Sequence, residues 1–220
     1  MYIQCKVPLP KDREWTVKTD PHWTKLTYSF SSPSPPLCIL IESRGFAFAG
    51  SPESLLGTGF GLKLWPEGHS YYGQLQQLQP HGIGRFAYAS GVIEEGRWEA
   101  ARLHGMGVRL WSASAFYHGQ FRNHLAEGYG YFQDGKGHSY IGFWKKGVKS
   151  GKGVITFRGK TQLSGVFEEG SLGDLVTLRK ADGSVTKGQY KKGLKTGAFL
   201  TRTPQGQVRK RIYSEGHLIL

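Results

Sequence analysis

Seven glycines keep one spacing along the chain: Gly50, Gly73, Gly96, Gly119, Gly142, Gly165 and Gly188 each stand 23 residues from the next, with no insertion in the series. A fixed period of this size means an array of similar supersecondary units, none of which buries its apolar side alone. Other columns hold the same phase. Nine residues after each anchor come Gly59, Gly82, Gly105, Gly128, Gly151, Asp174 and Gly197, and eleven after come Gly61, Gly84, Gly107, Gly130, Gly153, Val176 and Phe199. Two before the anchors stand Phe48, Tyr71, Glu94, Tyr117, Tyr140, Leu163 and Thr186, and two after stand Pro52, Leu75, Trp98, Phe121, Trp144, Phe167 and Tyr190.

Glycines and rings therefore alternate with period two, the signature of strands. Each unit is expected to hold two short strands, from two before the anchor to three after it, and from nine to fifteen after it. Turn glycines follow at Gly147, Gly170, Gly193 and Gly216 and at Gly68, Gly91, Gly137, Gly183 and Gly206, where positive φ costs little. Connections this short make consecutive strands neighbours in an all-β, elongated antiparallel meander of stacked β-hairpins. About fourteen strands at roughly 4.8 Å would span about 65 Å.

The 32 glycines and the 13% aromatic content then share one cause. Rings and glycines have one parity, so rings can lie flat over bare backbone and serve as the core. Tyr71, Trp98, Tyr117, Phe121, Tyr140, Trp144, Phe167 and Tyr190 form this expected aromatic face. Phe60, Leu62, Leu64, Met106, Val108 and Leu110 have the opposite parity and leave a second face partly apolar.

The motifs Tyr71-Tyr72-Gly73 with His81-Gly82-Ile83-Gly84, and Tyr140-Ile141-Gly142-Phe143-Trp144-Lys145-Lys146-Gly147 with Gly151-Lys152-Gly153, resemble the membrane occupation and recognition nexus (MORN) repeat. That repeat reads Tyr-x-Gly, an aromatic, a turn Gly, then Gly-x-Gly. The resemblance covers about residues 46–216, with 217–220 as a tail. Glu94 departs from the aromatic column, the units at Gly165 and Gly188 lose the second Gly of the pair, and Arg211 stands where an eighth anchor would fall. The departures in the terminal repeats are read as capping of the array's end. Residues 1–45 do not match: Lys11-Asp12-Arg13-Glu14 and Ser31-Ser32-Pro33-Ser34-Pro35-Pro36 read as an extended or disordered segment, with Leu37 to Ile41 a capping strand.

Of the net charge of +13, residues 142–220 carry +11, from 16 Lys and Arg against 5 Asp and Glu. Lys145, Lys146 and Lys149 recur as Lys191, Lys192 and Lys195 two units on, with Glu168 and Glu169 between them. The two clusters are expected on one long edge, about 19 Å apart at four strand spacings. Such an edge is either a solvated surface or a place for an anionic partner.

No set of groups for catalysis emerges. Gly57-Thr58-Gly59-Phe60-Gly61 lacks the helix and Lys-Ser/Thr pair of a nucleotide loop, and the repeat already explains its glycines. His81 and His104 share a column whose next members are Glu127 and Ser150, too few ligands for a metal. Adjacent Glu94 and Glu95, near Glu99, point to opposite strand faces. Nucleic acid is disfavoured, because the rings that could stack on bases occupy columns the fold itself requires. Cys5 and Cys38 make no disulfide framework, and Met1-Tyr2-Ile3-Gln4 opens no signal peptide, which points to the cytoplasm.

The expected function is a non-enzymatic scaffold without cofactor that holds a protein partner, with a second copy in a symmetric dimer as one such partner. What the MORN resemblance implies is an adaptor at membranes, cytoskeletal structures or cilia. The alternatives are a peripheral adaptor for anionic phospholipids through the basic edge, and an accessory subunit of an enzyme on another chain.

Overall fold

A computed structural model describes residues 16–20, 23–28, 37–41, 47–51, 54, 57–191 and 193–220 of the chain. Residues 1–89 and 90–220 form two compact units.

In the first unit, β1 (Thr16–Asp20), β2 (Trp23–Tyr28), β3 (Leu37–Ile41), β4 (Ala47–Gly50), β5 (Thr58–Leu64), β6 (Ser70–Gln76) and β7 (Gln79–Ala87) follow in sequence order. Each pairs antiparallel with the next. The second unit runs through β8 (Ile93–Glu99), β9 (Arg102–Leu110), β10 (Ala115–Arg122), β11 (Leu125–Asp134), β12 (Ser139–Lys145) and β13 (Val148–Thr156). It continues through β14 (Gln162–Glu168), β15 (Ser171–Arg179), β16 (Val185–Lys191), β17 (Leu194–Arg202), β18 (Val208–Ser214) and β19 (His217–Leu218). Here too each strand is antiparallel to its successor. The all-β meander predicted from the alternation is the observed fold.

Within each unit the anchor column and the column eleven residues on form one continuous row. Register pairs Gly50 with Gly61, Gly61 with Gly73 and Gly73 with Gly84 in the first unit. In the second, the row runs Gly96, Gly107, Gly119, Gly130, Gly142, Gly153, Gly165. Val176 and Gly188 extend it. This spine crosses the strands at right angles, and rings from neighbouring rows roof it.

Two features differ from expectation. From the unit at Gly73 onward the second strand begins six residues after the anchor, not nine, and in the unit at Gly50 it begins eight after. The hairpins turn through only two residues, both with positive φ, as at Gln77–Leu78, Ala100–Ala101, Asn123–His124 and Lys146–Gly147. Such turns match the twist of the strands they join, so pairing resumes at once. The ladder then slips within the unit, for example between Gly119 and Phe121, and Gly128 absorbs the bulge at φ +69.

The second difference lies ahead of residue 46, where β1 and β2 carry the meander into the segment read as extended or disordered. Thr16-Val17-Lys18-Thr19 and Trp23-Thr24-Lys25-Leu26 have strand-forming residues but none of the glycine phase that marks the repeats. Lys11 to Glu14, Ser31 to Pro36 and Pro52 lie outside the described residues.

Candidate interaction surface

In each unit one face of the sheet is its core. Tyr71, Trp98, Tyr117, Phe121, Tyr140 and Phe167 are buried, and Trp144 and Tyr190 are half-buried on the same side. In the second unit the rings meet edge to face in a chain. Phe121 to Tyr117 is 5.0 Å between centroids, Tyr117 to Trp144 5.2 Å, Trp144 to Tyr140 5.2 Å and Tyr140 to Phe167 5.1 Å. That arrangement sets positive ring edges against negative faces and adds to the gain from burial.

The leading tyrosine of a repeat does two jobs. Its ring occupies the space a Cβ would need at a spine glycine: Tyr71 over Gly84, Tyr117 over Gly130, Tyr140 over Gly153. Its hydroxyl donates to the carbonyl three residues on, Gln74 at 2.7 Å, Gln120 at 3.0 Å and Phe143 at 3.0 Å. Each acceptor sits at the slip, where Gln120, for instance, has no register partner on β11. A buried acceptor at a bulge needs such a donor. Burial pushes Tyr117 and Tyr140 up to about 12, with Glu127 and Tyr129 adding to the respective shifts, and it also raises Tyr71 and Tyr190. The hydroxyl bond was not foreseen from sequence, though Tyr rather than Phe at positions 71, 117 and 140 is its signal.

Glu94 takes that tyrosine's place in the unit at Gly96 and is buried, 2% exposed. Arg109 Nε donates to its Oε1 at 2.7 Å, and His124 Nδ1 lies 3.0 Å from its Oε2. Glu95 and Glu99 are exposed, so no carboxylate pair forms. His104 faces Glu99 at 3.9 Å, and the His81 carbonyl accepts from Tyr71 at 3.4 Å. Among the described residues no group of three or more His, Cys, Asp or Glu could hold a metal ion.

The six lysines of the expected edge separate. Lys145, Lys146 and Lys191 are exposed at hairpin ends. Lys192 lies outside the described residues. Lys149 and Lys195 turn onto the rings instead: Lys149 Nζ stands 5.0 Å from the Tyr140 centroid, and Lys195 Nζ 4.8 Å from that of Tyr213. Their register partners are Trp144 and Tyr190. The same column holds Pro80, Leu103, Ala126 and Leu172, so the alternation assigns it to the core face. Burial lowers the pKa of Lys149, opposed by the Asp134 carboxylate.

The opposite, outer face of the second unit is open and apolar. Tyr129 and Phe143 are register partners, half exposed, with ring centroids 5.5 Å apart. Met106, Ile141, Val166 and Leu175 are exposed on the same side, and within the first unit Phe60, Tyr72 and Ile83 are exposed on the face opposite its own glycine row. Leu62, Leu64, Val108 and Leu110 are partly covered.

No curated protein matches the chain. Among solved structures it is similar to the SAS-4 (dCPAP) TCP domain of Drosophila melanogaster, determined in complex with a proline-rich motif of Ana2 (dSTIL). The identity is 15%, the match covers 84% of this chain and 95% of that one, and the TM-score is 0.44. The family model described as the MORN repeat matches residues 71–93, 95–113, 117–139 and 140–161. With four consecutive matches falling on successive hairpins, residues 71–161 are an array of MORN repeats.

Proposed function

We propose that the chain is a non-enzymatic scaffold that holds a partner protein on the outer face of residues 90–220. MORN repeats are modules for protein and membrane interaction. The observation that carries the reading is the register-paired, half-exposed rings of Tyr129 and Phe143, with Ile141, Val166 and Leu175 also exposed on a face that the packing of the rings leaves free. Large apolar side chains exposed together on one face mark a docking site. The anionic-membrane alternative is weakened by the placement of Lys149 and Lys195, which stack on rings and so leave fewer cations at the hairpin ends.

The test compares wild type with F143E/L175E. A partner cross-linked to the outer face of wild type and then purified should bind wild type and bind the variant about tenfold or more weakly, as loss of a buried anchor predicts. Undiminished binding by the variant would reject this face. Sedimentation of both proteins alone identifies a second copy as the occupant if wild type is dimeric and the variant monomeric.

A further inference from the structure

The glycine spine changes character at its C-terminal end. Beyond Gly165 it continues as Val176, Gly188, Phe199 and Arg211. The flanking row, Tyr140 and Ile155 in the middle of the unit, becomes Leu178, Thr186, Thr201 and Arg209. Rings and glycines give way to hydroxyls and cations on the same face. End-capping requires only a polar surface there, yet these residues enclose a cleft of about 600 Å³.

Lys180, Lys195, Arg209 and Arg211 line the cleft, with Phe199 and Tyr213 as its apolar wall. Its single acid is Asp182, whose carboxylate accepts the Ser184 amide at 2.8 Å. Among the described residues none of the four cations forms an ion pair within 4.0 Å. Thr186 and Thr201 satisfy each other at 2.9 Å, but Thr203 Oγ1 is buried without a hydrogen-bond partner. An orphaned hydroxyl in a cleft whose cations have no carboxylate partner is a site short of its acceptor.

We propose that this cleft docks an acidic, extended peptide segment of a partner protein, resting on the protein-scaffold reading and adding a second contact on the opposite face. Arg209 and Arg211 project from one side of β18 two residues apart, about 7 Å along the strand. Alternate side chains of an extended peptide have the same spacing, so two of its carboxylates meet two guanidinium groups. Guanidinium forks match carboxylates in shape as well as charge. Lys195, with its Nζ 4.8 Å from the Tyr213 centroid, completes the cationic rim, and an apolar side chain of the peptide lies against the half-buried edge of Tyr213. A cleft of this volume exceeds what one phosphate group fills, and its apolar wall suits a chain of mixed character.

The test uses fluorescence anisotropy of the full chain with a fluorescein-labelled alternating Glu-Leu octapeptide, beside a Gln-Leu octapeptide. Saturable binding of the Glu-Leu peptide is expected, weaker by about tenfold or more for the Gln-Leu peptide and for R209Q/R211Q. K145Q/K146Q, altered at a hairpin end, should bind as wild type does. Both arginines are exposed, so the fold should survive, and R209E/R211E should gain binding to a Lys-Leu peptide that wild type ignores. Equal binding by wild type and R209Q/R211Q, or none by wild type, overturns the proposal. So does failure to bind peptide alongside retention on phosphatidylserine vesicles that R209Q/R211Q abolishes, which would assign the cleft to a lipid surface. F143E/L175E should bind the Glu-Leu peptide undiminished, so the two contacts fail or stand separately.

Discussion

Glu94 stands opposite Arg109 in the β8–β9 register and is paired with it in the core, in the position where other units place a tyrosine. The Arg109 guanidinium also donates to the His124 carbonyl at 2.6 Å and lies over the Phe121 ring. This ionic group replaces the ring that roofs the spine elsewhere, leaving Leu103 and Phe121 to approach Gly107. Removing one partner strands the other's charge, so Glu94→Ala should destabilise by about 3 kcal/mol. Replacing both, Glu94→Tyr with Arg109→Phe, installs the residues found at Tyr117 and Phe132 and should be neutral or stabilising by about 1 kcal/mol or more. Urea unfolding of the single and double variants checks both signs; a double variant weaker than Glu94→Ala would show that the ionic group is needed.

The tyrosine's two jobs separate by mutation. Tyr140→Phe keeps the ring over Gly153 but leaves the Phe143 carbonyl without its donor, at a cost of about 1–2 kcal/mol. Gly153→Ala puts a methyl group into the space of the ring and should cost more, about 3 kcal/mol. Gly159, with open space where its Cβ would be, is the control: Gly159→Ala should stay within about 0.5 kcal/mol of wild type in the same melts.

What was legible in the sequence was whatever repeats in phase. The glycine columns, the ring column and their shared parity specify a meander with rings over backbone, and the structure joins two of those columns into one spine. Which side chains meet across strands was less visible. Arg109 meets Glu94 only through register, fifteen positions away, and nothing local in either residue announces the other. The hairpins hid because Gln77–Leu78 and Ala100–Ala101 adopt positive φ without the Asn or Gly that usually signals it. Lys149 and Lys195 drew attention as charges, although their column, shared with Leu103 and Leu172, already assigned them to the rings.

Those hairpins carry strain that substitution can relieve. Ala101 has φ 59, in the left-handed region. There an L-residue with a Cβ costs roughly 1–2 kcal/mol, part of which glycine returns through its greater freedom in the unfolded chain. Ala101→Gly should therefore stabilise by about 0.5–1 kcal/mol, seen as a higher melting temperature. A lower melting temperature would mean that the methyl group packs more usefully than the turn suffers.

High pH should unfold the protein through its tyrosines. Tyr117 and Tyr140 have pKa values raised from 10.0 to about 12, chiefly because burial penalises the phenolate. The unfolded chain thus releases these protons first, and the folded state binds more of them between those two values. Linkage then makes stability fall as pH rises through that window, while the contribution is fully present below pH 10. The hydrogen bonds have the same sign, since a phenolate cannot donate to the Phe143 or Gln120 carbonyl. Tyrosinate absorbance followed against pH should show a group of tyrosines that ionises late, together with loss of the sheet's circular dichroism. In Y117F/Y140F that late, cooperative step should shrink, because two of its protons are gone. A single uncoupled titration near pH 10 with the sheet intact would mean that the rings over the glycine spine are open to water.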